Sequence, residues 1–389
     1  MTKKPDFETV ALVLQGGGAL GSYQAGVVEG LVAADIEPDW LAGISIGAIN
    51  TALIAGNPPA TRVQRLREFW ETICQPAMFA APLQSLEQFV HGMPEARSAL
   101  SALGAWRAMV EGQRDFFVTR GLTPWLGGKQ GITEASFYDT SQLRGTLERF
   151  VDFDRINAGP TRVSVGAVNV RTGNFELFDN TTGSARKAMR AEHFMASGAL
   201  PPGFPAVEID GEYYWDGGLV SNTPLALVLN AMPRRDTLVF QVDLWRAHGT
   251  LPDNVYDAEE RRKDITYSSR TRAVTDMLAR TQHLRRLLRE VLEHVPAKVQ
   301  LSDRWCREAK ELASTRQYNV IHLIYQDKAW EGLAKDYEFS ITTMREHWAS
   351  GLNDIRHTLE HPEWLQRPPA DVEFVTHDYH RLRQAKSSP

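Results

Sequence analysis

Two glycine-bearing turns near the N-terminus restrict this chain more than any other feature, because each sits between an apolar run and a helical pattern. Thr9-Val10-Ala11-Leu12-Val13-Leu14 is a near-continuous apolar run. That pattern marks a strand buried on both faces. It runs into Gln15-Gly16-Gly17-Gly18-Ala19-Leu20-Gly21, and a helix is predicted over 22–34, with Val27, Val28, Leu31 and Val32 on one side. Residues 40–44 predict the next short strand. Gly43-Ile44-Ser45-Ile46-Gly47 then leads into a helix over 46–55, closed by Gly56-Asn57-Pro58-Pro59. Strand–helix alternation of this kind predicts an α/β fold built on a mostly parallel sheet.

Strand patterns return at 162–170 and 174–178, joined by the turn Arg171-Thr172-Gly173. A loop made rigid by glycine and proline follows at 196–205. Glu212-Tyr213-Tyr214-Trp215 reads as a strand entering Asp216-Gly217-Gly218, and 238–244 is another apolar strand. Between them, 61–131 carries little strand signal. Its amphipathic stretches, Leu83-Leu86-Phe89-Val90 and Leu100-Leu103-Trp106-Val110, suit either a helical cap over the active face or helices packed on the sheet.

Composition shifts near Arg246. A long helix is predicted over 271–294. Its arginines, Arg280, Arg285, Arg286 and Arg289, would either meet anionic lipid or stand in solvent paired with Glu290 and Glu293. Residues 321–325 read as a late strand, which would pack this mainly helical C-terminal part on the same core. Residues after about 368 read as an ordered-to-frayed tail. These signals divide the chain into 8–245, with 61–131 as the candidate cap, and 246–389.

Several classes are disfavoured by composition. The net charge of −5 lacks the basic bias of a nucleic-acid binder. Cys74 and Cys306 lie far apart, which suits a reducing compartment and argues against a disulfide framework or a zinc cluster. No signal-type apolar region follows the basic start, and no stretch reaches the roughly 18 apolar residues of a spanning helix. The expectation is a cytoplasmic protein whose membrane contact, where there is any, is peripheral.

The chemistry centres on Ser45. A serine between glycines on a strand-to-helix turn is how sheet enzymes expose a nucleophile, and the residue after it, Ile46, offers one oxyanion-hole N–H. Gly43 and Gly47 supply the room a tight elbow needs. The Gly16–Gly21 run also satisfies the dinucleotide pattern, but that reading wants an acid at the end of the next strand, where Gly43-Ile44-Ser45 stands. As an oxyanion turn, its best-placed amides are those of Gly17 and Gly18, with Gly16 allowing the bend. Asp216 could stand beside Ser45 if the two strand ends converge, and would then have to be withdrawn from water to act as a base. His193 is the histidine most suggestively placed for a triad.

Gln15-Gly16-Gly17-Gly18, Gly43-Ile44-Ser45-Ile46-Gly47, the loop over 196–205 and Asp216-Gly217-Gly218 occur in the order and settings of the patatin-like phospholipases, which this chain resembles across 8–225. The resemblance implies a three-layer patatin-like fold, similar to cytosolic phospholipase A2, and a lipid acyl hydrolase working by a Ser-Asp dyad. Ser45 is then the nucleophile and Asp216 its base, and Gly16, Gly17 and Gly18 line the oxyanion hole. No metal and no other cofactor is implied. Substrates would be phospholipids, lysophospholipids or related fatty acyl esters. A polyhydroxyalkanoate or small ester acted on at the same site, or a non-catalytic lipid-binding module, stands as the alternative. The family's glycine block often carries a basic residue after its third glycine; here Ala19 and Leu20 follow. The region after Arg246 resembles an uncharacterised extension found on some bacterial members.

Overall fold

The computed structural model describes residues 5–75, 94–126, 128–181, 188–268 and 271–381. The stretch Leu83-Leu86-Phe89-Val90 lies outside them. Among the described residues one sheet holds nine strands: β1 (Thr9–Leu14), β2 (Trp40–Gly43), β3 (Arg162–Asn169), β4 (Phe175–Asp179), β5 (Val207–Ile209), β6 (Glu212–Asp216), β7 (Thr237–Asp243), β8 (Tyr318–Ile324) and β9 (Phe374–Asp378). Their order is β9-β8-β7-β1-β2-β3-β6-β5, with β4 also on β3. From β9 to β3 every pairing is parallel, and β4, β5 and β6 are antiparallel additions.

β1 lies inside this sheet and is buried along its whole length. Val10, Leu12 and Leu14 face one layer, with helices α1 (Ser22–Ala33) and α2 (Ile46–Ala55). Ala11 and Val13 face the other, with Leu225, Val228, Leu229 and Leu278. The unbroken apolar run in the sequence is thus a strand with no solvent face, the middle of a helix–sheet–helix sandwich. No helix among the described residues is long and apolar enough to cross a membrane.

The C-terminal region adds two strands as well as helices. β8 pairs in parallel with β7, and the helix Ile341–Leu359 packs along α1. Within the ordered-to-frayed tail predicted after about 368, Phe374–Asp378 forms the edge strand β9. Its sequence, Phe-Val-Thr-His-Asp, is short and half-polar, which suits an edge and hides it from a periodicity reading. A small antiparallel sheet of Gly112–Gln113, Phe117–Thr119 and Tyr138–Asp139 was also absent from the sequence reading, since two- and three-residue strands carry no period. The helix Pro94–Glu111 precedes it.

Candidate active site

Strand register brings the two motif ends together. Ser164 and Val165 pair with β2 on one side and β4 on the other, while Ala167 and Val168 pair with β6 and β4. β2 and β6 therefore share one edge of β3. β2 runs with β3 and β6 runs against it, so their C-terminal ends point at each other. Gly43 stands opposite Val165 and Asp216 opposite Ala167, with only Gly166 between. Gly217 begins the next turn there, where a Cβ would lie 2.5 Å from the Gly166 carbonyl oxygen. A side chain at 217 would push the acid away from the serine.

Ser45 sits at φ 56° and ψ −125°, a backbone that residues with a Cβ seldom adopt. Two acceptors hold it there: its N–H donates to the Ser197 carbonyl at 3.1 Å and to the Ser197 hydroxyl at 3.0 Å. The Ser197 hydroxyl donates in turn to the Gly166 carbonyl at 2.7 Å. α2 starts at Ile46, so the positive end of a helix lies beside the serine. A Cβ on Gly47 would overlap the Leu14 carbonyl oxygen, which is the close approach that the elbow requires.

The Ser45 side chain stands close enough to Asp216 to favour its ionised form. Asp216 is 2% exposed, and its carboxylate also accepts the Gly218 N–H at 2.7 Å. Burial pushes its pKa up to about 7, while the Gly218 N–H and the Ser45 side chain pull the other way. Desolvation wins because no cation pairs with Asp216 among the described residues. The Asp216 N–H donates to the Ala199 carbonyl at 3.0 Å, so the 196–205 loop holds both ends of the pair.

The glycine turn divides its labour. Gly16 is occupied: its N–H donates to the Asn222 carbonyl at 3.3 Å, and its carbonyl accepts from Trp245 Nε1 at 2.9 Å and Asn222 Nδ2 at 3.2 Å. Among the described residues, no hydrogen bond engages the N–H of Gly17, Gly18 or Ile46. Gly18 has φ 56°, and a Cβ on it would overlap the Asp336 carbonyl oxygen. Gly16, Gly17, Gly18, Ser45, Ile46, Asp216 and Gly218 all line one pocket. Its apolar wall includes Ile49, Phe116, Leu143, Phe204 and Phe339. Phe116, Phe117, Phe204 and Phe339 meet largely edge to face.

His193 does not line this pocket. Its Nδ1 accepts the Arg190 N–H at 3.0 Å at the start of the helix Ala191–Ser197, and its ring packs edge-on against Phe178. Burial lowers its pKa, which keeps it a neutral acceptor. The arginine-rich helix Thr271–Glu293 pairs Arg286 with Glu290 and Glu373, and Arg289 with Glu293.

Several residues here carry weight that the sequence did not disclose. Gln15, fully buried, accepts the Leu244 and Trp245 amides on Oε1 and donates Nε2 to Thr223 and to the Tyr267 carbonyl. A polar residue closing an apolar strand was the available signal. Asn222 binds the Tyr267 carbonyl as well as Gly16, but Ser221-Asn222-Thr223-Pro224 reads only as turn chemistry. Tyr267, Asp336, Tyr337 and Phe339 reach the pocket from far along the chain, where no motif marks them.

A strained serine at a strand–helix elbow, sharing a pocket with a buried carboxyl and with unbonded amides, describes an α/β protein with the parts of a serine hydrolase. A family model described as patatin-like phospholipase matches residues 12–229, more than half of the chain, and a second, described as patatin phospholipase, matches 265–371. The chain belongs to the patatin-like phospholipase family. That membership implies lipid acyl hydrolase activity, and the family is generally one of serine hydrolases. No curated protein matches. Among solved structures, VipD from Legionella pneumophila is similar at 15% identity and a TM-score of 0.39, over 91% of this chain and 67% of VipD. Human GIVD cytosolic phospholipase A2 is similar at 12% identity and a TM-score of 0.38, over 92% of this chain and 60% of its own. A Pseudomonas aeruginosa SpcU–ExoU complex matches at 17% identity and a TM-score of 0.25, over 68% of this chain and 50% of that one.

Proposed function

We propose that this chain hydrolyses carboxylic esters of phospholipids or lysophospholipids through an acyl-serine intermediate, with Ser45 as nucleophile and Asp216 as its base. The observation that carries the reading is a buried carboxyl, its pKa pushed up to about 7, that lines one pocket with Ser45 and is favoured in its ionised form by the Ser45 side chain. An exposed aspartate is too weak a base for a serine proton; one near neutrality balances proton affinity against the fraction ionised.

In acylation, Ser45 Oγ attacks the ester carbonyl as Asp216 takes its proton. The oxyanion rests on the Gly17 and Gly18 amides, with the Ile46 N–H available as a third donor. Collapse of the tetrahedral intermediate expels the alcohol, which takes the proton from Asp216. In deacylation, water enters, Asp216 removes its proton, and the second intermediate releases the fatty acid and returns the proton to Ser45. The acyl chain lies against Ile49, Leu143 and the phenylalanines. This wall supports a fatty acyl substrate over a small polar ester.

Labelling with a fluorophosphonate, followed by assays on phospholipids, lysophospholipids and short esters, tests the reading. Modification of Ser45, abolished in Ser45→Ala, together with fatty acid release is the expected result. An unlabelled wild type that releases no acid from any of the panel would remove it.

A further inference from the structure

Beyond the glycine turn, a buried ionic knot ties the C-terminal region to the catalytic side of the sheet. The side chain of Lys335 is 1% exposed. Its Nζ lies 2.8 Å from Asp264, 3.0 Å from Asp327 and 3.4 Å from Glu260. These three carboxylates converge closely enough to hold a cation, and the ammonium is that cation. They hold its pKa well above the ordinary lysine value, against burial. Arg246 closes the far side on Asp327 at 2.8 Å.

The knot presses on the glycine turn along two routes. Lys335 lies 5.3 Å from the centre of the Trp245 ring, and Lys263 lies 5.6 Å from it. That indole donates Nε1 to the Gly16 carbonyl at 2.9 Å. The second route is the Lys335–Tyr337 turn itself. Asp336, ion-paired with Lys263, sets its carbonyl oxygen against Gly18 so tightly that a Cβ there would not fit. Glu260, Lys263 and Asp264 share one face of the helix Val255–Tyr267, spaced three and four residues apart. That helix ends at Tyr267, whose carbonyl accepts from Gln15 and Asn222. The Gly17 carbonyl accepts the Leu20 N–H at 3.2 Å, but the N–H groups of Gly17 and Gly18 make no hydrogen bond among the described residues, so their direction depends on the turn and on these neighbours.

We infer that Lys335 is a positioning residue for the oxyanion turn, acting through Trp245 and the Lys335–Tyr337 turn; the kinetic side of this inference rests on the hydrolase reading above. It assigns the C-terminal region a part in the reaction. It makes a purely structural role insufficient, because a folded protein with a loosened knot would still turn over more slowly.

Two variants and the conservative Lys335→Arg probe it. Lys335→Met leaves Glu260, Asp264 and Asp327 without their cation and risks unfolding, so Trp245→Phe, which keeps an aromatic ring while removing the indole N–H and the five-membered ring that carries it, stands beside it. Hydrogen–deuterium exchange of the full chain would follow the peptide spanning Gly16–Leu20 and a control peptide within β8. Expected is exchange in the glycine turn about tenfold faster in both variants, with β8 unchanged. In parallel, burst titration with a p-nitrophenyl ester counts competent sites. Expected is a kcat per titrated site about tenfold lower in Trp245→Phe, with KM within a factor of two, and partial recovery in Lys335→Arg relative to Lys335→Met. Unchanged exchange in the glycine turn of folded Trp245→Phe would overturn the inference. So would a loss of titratable sites with an unaltered kcat per site. A wild type inert toward esters would sink the hydrolase reading, and the exchange measurement would still decide the positioning.

Discussion

Asp216 and Lys335 are both withdrawn from water, yet their surroundings treat them in opposite ways. Lys335 has three carboxylates around one ammonium and keeps its charge with ease. Asp216 accepts the Gly218 N–H, has the Ser45 side chain beside it, and makes no ion pair among the described residues. Burying a charge costs heavily unless partners make good the lost hydration. Around Lys335 that debt is met, and the result is a rigid support. At Asp216 it is left partly unmet, and a group held near its own titration point can take and return a proton. On the proposed mechanism, the comparison separates a charge that builds from a charge that reacts.

The hardest way to break it is to remove the reacting pair. Ser45→Ala and Asp216→Asn are each expected to lower kcat by about 10⁴-fold or more, with circular dichroism unchanged. Near-wild-type hydrolysis in Asp216→Asn would mean that another group activates the serine. Gly18→Ala comes next. Its φ of 56° and the Asp336 carbonyl both oppose a Cβ, so the turn must shift and misaim its amides. A fall in kcat of about 10²–10³-fold is expected, the usual consequence of losing one oxyanion donor. A variant with wild-type kcat would move the oxyanion hole away from this turn.

The pH profile sharpens the contrast. Only ionised Asp216 can accept the serine proton, so kcat/KM is expected to rise about tenfold per pH unit up to a bend near 7, and then to level. A bend near 4 would describe an ordinary aspartate and end the argument from burial. Stability should move the other way. The folded-state pKa lies above the unfolded value, so the folded protein binds the extra proton. The neutral carboxyl's contribution is fully present below the unfolded value of 3.8 and is lost as pH rises through about 7. Asp216→Asn removes that buried charge, and is expected to stabilise the fold at pH 8 by up to a few kcal/mol while changing little at pH 4. Chemical denaturation at the two values measures it; equal shifts at both would show that the charge costs nothing.

The same contrast explains what the chain disclosed before folding. The elbow at Ser45, the acid at Asp216 and the strands leading to them are legible because each is written in a short contiguous motif, even where its supports lie far along the chain. Gly43 is a glycine for its approach to Gly47 four residues on, while Gly47 and Gly217 meet the Leu14 and Gly166 carbonyls across strands yet stand inside short motifs, and β1 shows its burial in an unbroken run. The supports are different. Ser197, Asn222, Trp245 and Lys335 act across spans set only by the folded sheet, and each has an ordinary local reading: a helix end, a turn, an aromatic after a strand, a surface lysine. Lys335 is the sharpest case, since a lone lysine between Ala334 and Asp336 reads as exposed, and only the tertiary fold supplies its three acids. The edge strand β9 escaped for a related reason, as its short, half-polar sequence takes its pairing from β8.

His193 provides the mildest test, and the one that guards the dyad against a hidden triad. Its ring receives the Arg190 N–H at the start of the Ala191–Ser197 helix and packs on Phe178. That helix ends at Ser197, the residue holding the Ser45 backbone. His193→Ala removes a cap-like acceptor and should cost about 1 kcal/mol of stability. It leaves Ser197, Ala199 and the dyad in place, so kcat per titrated site should stay within a factor of two, and the bend near pH 7 should not move. A displaced bend or a hundredfold fall in kcat in a folded variant would return the histidine to the mechanism. With the bend unmoved, the titration near neutrality belongs to the carboxylate, and imidazole chemistry is not needed to explain a base at that pH.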